Sequence, residues 1–146
     1  MIRKLEKTKC VVIVDSSLSV GEQANVAAVL AMSIGAKFSE IIGDDVYDGD
    51  DVYDGDDIRH QGITQLNLPV LAASRDILRG IRSLACDNDE VSLVDFTCTA
   101  QRSRTYEEYT LQIKKIAESE LSYIGIGLIG NKKYINKYTG NLKSLR

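Results

Sequence analysis

Residues 10–14, Cys10-Val11-Val12-Ile13-Val14, form an unbroken apolar and largely β-branched run, the pattern of a strand buried on both faces. Ser19-Val20-Gly21-Glu22 has the spacing of a capping box: a serine hydroxyl takes an orphan N–H while a glutamate reaches back. It opens a helix that ends near Lys37 and is apolar on almost all sides. Ala24, Ala27, Ala28, Ala31 and Gly35 share one face, which predicts close approach to a sheet. Val26, Leu30 and Ile34 make a second apolar face, so the helix is expected to be covered on both sides, one of them by a partner subunit. A short strand is expected over 38–43 and a second strand over 66–71. Ser74 caps a helix turning Ile77, Leu78, Ile81, Leu84 and Ala85 inward. A third strand follows over 91–96, then a short helix after Thr97. A second capping box, Thr105 to Glu108, opens a helix with Tyr109, Ile113, Ile116 and Ala117 facing in. The last strand covers 123–128, and a short helix over 131–137 has Gly140 at its C-terminal cap. Strands alternating with helices predict a three-layer α/β/α fold. Its sheet is expected to be mixed but mostly parallel, with four to five strands, in a single domain over residues 1–146.

One segment breaks this rhythm. Gly43-Asp44-Asp45-Val46-Tyr47-Asp48 recurs as Gly49-Asp50-Asp51-Val52-Tyr53-Asp54 and runs into Gly55-Asp56-Asp57. The acidic repeat over 44–57 reads as a loop, a local duplication rich in turn residues. A calcium loop starting at Asp44 would have its glycine at Gly49, but Gly55 stands where a bidentate glutamate belongs. No metal site is expected.

Charge adds a second asymmetry. The net charge of −3 includes eight aspartates within 44–57; the 18 basic residues against the 13 remaining acids leave the rest at +5. The last fifteen residues carry Lys132, Lys133, Lys137, Lys143 and Arg146 and no acid. Cys10, Cys86 and Cys98 are widely spaced and His60 is the lone histidine, which argues against a disulfide framework or a zinc site. With basic residues crowding the first strand and no long apolar run, the chain is expected to be cytoplasmic, with no membrane segment. No Walker loop, nucleophile elbow or dinucleotide fingerprint occurs, and no cofactor is expected.

Four groups of residues carry a resemblance. They are Lys9 to Val14 with Asn25; His60-Gln61-Gly62-Ile63 leading to Pro69-Val70-Leu71; Asp95-Phe96-Thr97 with Ala100-Gln101 and Arg104 to Tyr109; and Gly125-Ile126 through Lys132, Asn136, Lys137, Thr139, Gly140, Leu142 and Leu145. Together they resemble an uncharacterised bacterial family of unknown function that shares the fold of type II peptidyl-tRNA hydrolases. The resemblance implies that fold and no established activity. Against the hydrolases themselves, the closing Lys137, Thr139, Gly140, Leu142 and Lys143 match, whereas Ala24, Ala28 and Ala31 stand where lysine, glutamine and histidine are expected. The resemblance therefore implies a scaffold that is kept and a first helix that has lost its chemistry.

In open α/β sheets, ligands sit outside the carboxyl ends of strands. That rule nominates Asp15, Ser16, Asp95, Thr97, Gly130 and Asn131, with strand-end turns and caps as the plainer reading of Asp15, Asp95 and Thr97. The ligand-binding residues expected are Asp15, Asn25, Asn131, Lys137 and Thr139. Asn25 is read either as a core amide or as a ligand-orienting one. His60 is the one imidazole for proton transfer near neutral pH. The expected function is a non-catalytic binding or interaction protein, homodimeric and open to a small-molecule ligand. The alternative is a hydrolase whose chemistry has moved to His60, Asp95, Thr97 and Asn136. Peptidyl-tRNA hydrolysis itself ranks last, because the acidic repeat and negative net charge disfavour tRNA.

Overall fold

The computed structural model describes residues 5–43 and 52–145. The apolar run becomes β1 (Thr8–Asp15), buried from Cys10 to Asp15. Helix α1 (Val20–Lys37) starts from the expected capping box: Ser19 Oγ accepts from the Glu22 N–H while Glu22 reaches back to the Ser19 N–H. A 3-10 turn (Ser39–Ile41) and an isolated bridge from Ile42 to Thr64 replace the strand expected over 38–43. Most of the acidic repeat, residues 44–51, lies outside the described residues. Its last part supplies β2 (Val52–Tyr53), which pairs with the following β3 (Arg59–His60) in a hairpin apart from the main sheet. Asp54 accepts from the backbone of Asp56 and Ile58 to close that turn. Then come β4 (Val70–Ala73), α2 (Arg75–Cys86), β5 (Val91–Thr97), α3 (Cys98–Arg102), α4 (Tyr106–Ile113), β6 (Tyr123–Asn131), α5 (Lys132–Thr139) and β7 (Lys143–Ser144). Helix α4 stops before Ile116 and buries none of its residues fully. Among the described residues, no helix is long and apolar enough to cross a membrane.

The main sheet has the order β5-β6-β1-β4-β7, and only β1 and β4 are parallel neighbours. The expectation of a mostly parallel sheet is therefore corrected: β1–β6, β5–β6 and β4–β7 are all antiparallel. Helical crossovers do give β1, β4 and β5 a common direction, as expected. But α3 and α4 stay at the edge where β5 ends, so β6 starts there and returns antiparallel between β5 and β1. Alternation of elements sets strand direction; it does not set which strands are neighbours.

Two cores flank the sheet. Val11 and Ile13 pack with Leu78, Ile81, Ala85 and Ile135 of α2 and α5, while Cys10, Val12 and Val14 pack with Val26, Leu30 and Ile34 of α1. The α1 contact reverses a second expectation. The Val26–Leu30–Ile34 face meets the sheet, and Ala24 and Ala28 are exposed. The small residues that permit the approach lie on the strand instead. A Cβ on Gly125 would come 2.3 Å from Val26 Cγ1, and one on Gly127 would come 2.7 Å from Ile34 Cδ1. Glycine lets the larger helix side chains seat on β6.

Candidate functional site

Because β1, β4 and β5 run the same way, their carboxyl ends share one edge of the sheet, where β6 begins. Asp15, the last residue of β1, is buried there, only 1% exposed. Its Oδ1 accepts from the Ser17 N–H (2.9 Å) and hydroxyl (2.8 Å), and its Oδ2 accepts from Arg75 Nε at 2.5 Å. Burial pushes the Asp15 carboxyl up, but the hydrogen bonds from Ser17 and Arg75 outweigh it and hold the group below its ordinary range. An ionised carboxylate locked by three donors is a fixed acceptor and a poor general base.

Arg75 is positioned by the start of α2, which Ser74 caps through the Ile77 N–H. Its Nη1 donates to Ser122 Oγ (3.0 Å) and to Cys98 Sγ (3.4 Å), which ties β1, α2, α3 and the entry to β6 together. The side chain is still 45% exposed. The main chain of Asp15 has its own partner: buried Gln23 donates from Nε2 to the Asp15 carbonyl at 3.2 Å. Gln23 also lines a cleft of about 640 Å³ with Ser16, Ala72, Lys143, Ser144 and Leu145.

Two further arginines continue down α2. Arg79 donates to the Glu118 carboxylate (3.0 Å) and carbonyl and to the Leu121 carbonyl, and Arg82 Nε donates to Asp95 Oδ2 at 2.9 Å. Both guanidiniums lie over the Tyr123 ring. Tyr123 donates its hydroxyl to Glu118, and burial together with that acceptor pushes its pKa up to about 12. Arg75, Arg79 and Arg82 thus pin three different segments to one helix face.

The nominated residues are scattered. Asp15 sits at the centre of the strand-end cluster. Thr97 ends β5 at the same edge, buried, with its hydroxyl capping α3 through the Ala100 N–H. Asp95 is taken up by Arg82. Asn25 is exposed, so its reading as a core amide is corrected; the buried amide is Gln23, two residues earlier. Antiparallel β6 carries Asn131 to the opposite edge, where it caps α5 through the Lys133 N–H and donates to Glu90 at 2.7 Å. Asn136 accepts from Lys9 Nζ at 2.7 Å. Thr139 is buried and donates back to the Ile135 carbonyl, and Lys137 is exposed on the last turn of α5. His60 lies on the separate hairpin, 3.0 Å from Asp54 and exposed. His60, Asp95, Thr97 and Asn136 each bond elsewhere, and among the described residues none is hydrogen-bonded to another. Arg75, Gln23, Ser17 and Ser122 were not nominated. The arginine spacing of i, i+4 and i+7 beside Leu78, Ile81 and Ala85 is the signal that points to the first of them.

A solved structure of a protein of unknown function from Agrobacterium tumefaciens is similar to this chain, with a TM-score of 0.83, 21% identity, and coverage of 96% of this chain and 98% of that one. At that identity the likeness shows the fold. No curated protein sequence matches. The model of a family described as a protein of unknown function, DUF2000, matches residues 8–146, and the chain belongs to that family.

Proposed function

We propose that this chain is a non-catalytic binding protein built on a scaffold of the type II peptidyl-tRNA hydrolase kind, and that its strand-end cleft takes a small ligand bearing an acidic group. The observation that carries this reading is the Asp15–Arg75 pair. The carboxylate is saturated by donors, the Arg75 side chain is 45% exposed, and Gln23, which bonds the Asp15 carbonyl, lines the cleft together with Lys143. Such a set recognises an anion, and the carboxylate that holds the Ser17 hydroxyl is too fully bonded to serve it as a general base. Inorganic phosphate tests it. In a titration followed by amide NMR, saturable shifts are expected at Ser16, Gln23, Arg75 and Lys143, and Arg75→Gln should remove them. Shifts that persist in the variant, or their absence in the parent, would overturn the reading.

The same reading places the protein in the cytoplasm, in keeping with three free cysteines, as a homodimer. The dimer would use the outer face of α1, where Val20 and Met32 are 80% and 76% exposed beside Ala24 and Ala28. Sedimentation should give a dimer for the parent and a monomer for Met32→Glu. A monomeric parent would remove this part. The relocated-hydrolase alternative draws no support from the separate partners of His60, Asp95, Thr97 and Asn136.

A further inference from the structure

Strand β5 is the outermost strand on its side of the sheet, and its pairing with β6 fixes which way each backbone group points. The Glu90 carbonyl accepts from the Asn131 N–H at 3.0 Å, one step before the Val91–Gly130 register pair. In an antiparallel ladder, alternate residues exchange both bonds with the neighbour and those between turn outward. Ser92, Val94 and Phe96 therefore bond to β6. Leu93 and Asp95 send their N–H and C=O groups away from the sheet, with no backbone partner for them among the described residues.

A groove follows this open edge on the α1 side, divided into two hollows. One, of about 410 Å³, is bounded by Val29, Ser33, Val94, Phe96, Tyr106 and Tyr109. The other, of about 200 Å³, lies between Ser33, Phe38, Ser92 and Val94. They share Ser33 and Val94, so they are consecutive along the strand. Tyr106, 79% exposed, stands edge-on to Tyr109 at the far end. Each hollow has a cation at its rim: Arg104 at the larger, Lys37 at the smaller.

We propose that the β5 edge accepts an extended peptide segment of another protein as an added strand. The backbone of the segment bonds to Leu93 and Asp95. Apolar side chains two positions apart enter the two hollows, as the pleat requires, and acidic residues at its ends meet Lys37 and Arg104. A second copy of this chain fits less well. Antiparallel self-pairing about Val94 would set Ser92 opposite Phe96 and offer the larger hollow only a hydroxymethyl group. The site is distinct from the strand-end cleft and does not depend on it.

The test is selection of random heptapeptides displayed on phage against the full chain, followed by binding of the selected synthetic peptide. Alternating apolar residues with acidic ends are expected, together with slowed amide exchange at Leu93 and Asp95. Leu93→Pro removes an N–H that the sheet does not use, a change edge strands tolerate. It and Ser33→Trp, which fills the groove from the exposed side of α1, should each weaken binding at least about tenfold. Should the proline variant not fold, the tryptophan variant decides. Failure to select any peptide, binding that survives the groove-filling change, or protection of Leu93 and Asp95 that grows with protein concentration in the absence of peptide would overturn the proposal.

Discussion

Against one face of the sheet, α1 presses Val26, Leu30 and Ile34 onto the glycines of β6. Against the other, α2 sets Leu78, Ile81 and Ala85 beside a row of arginines that reach Asp15, Glu118 and Asp95. The first contact is mainly shape: close packing holds it, with one buried polar tie from Gln23 to the Asp15 carbonyl, and a single added carbon is felt. The second is shape plus charge, and its polar partners come from segments far apart in sequence. The contrast teaches where the polar chemistry of this fold is concentrated. Helix α1, whose one lysine is Lys37 in its last turn and which has no histidine, contributes one buried amide; α2 organises the carboxyl edge of the sheet.

The largest expected effect breaks the close-packed α1 face. Gly125→Val places its Cβ 2.3 Å from Val26 Cγ1, and denaturant unfolding should show a loss of about 3 kcal/mol or a failure to fold. A loss under about 1 kcal/mol would mean that α1 moves aside freely. Next comes Arg75→Ala, which strips a buried carboxylate of its charged partner. About 2–3 kcal/mol should be lost, at or below the lower end for buried pairs because Arg75 is half exposed and Ser17 still donates.

The same pair sets an acid limb. The folded pKa of Asp15 lies below the unfolded value of about 3.9, so its contribution is complete above that value and is lost as pH falls through the folded pKa. In Asp15→Asn, stability should vary less with pH below about 4 than in the parent; an unchanged slope would assign the limb to other carboxylates.

Smaller effects are expected at further positions. Gly80 lies in α2 with nothing within 4 Å of a built Cβ, so Gly80→Ala should stabilise by about 0.5–1 kcal/mol, opposite in sign to the change at Gly125. Cys10, on the α1 face, has its thiol pushed up to about 11 by burial, while Cys86 is exposed. Ellman's reagent at neutral pH should therefore modify Cys86 first and reach Cys10 only on unfolding.

What the sequence disclosed was local. The run from Cys10 to Val14, the capping serines at 19 and 74, and the caps at Thr97 and Thr105 involve neighbours in sequence, and the structure forms them. Thr105 shows the limit: it caps through the Glu108 N–H, but Glu108 bonds the Arg104 N–H instead of its own cap. Sheet order was not legible, because the position of β6 depends on where the segment after α4 re-enters. Nor was the site, since Asp15 and Arg75 are separated by sixty positions. Gln23 was within reach: it continues the Val26, Leu30, Ile34 stripe, and Asn25 falls off it. The alanines and Gly35 of α1 misled because smallness was needed on the opposing strand.

The carboxyl edge is proposed to bind a ligand and not to turn over substrate. The most direct measurement is release of free tRNA from an N-acetylated aminoacyl-tRNA by the purified parent chain, beside Arg75→Gln. No release above the buffer rate is expected from either. Turnover by the parent that Arg75→Gln abolishes would contradict it, and would make the Asp15–Arg75 centre part of a working active site.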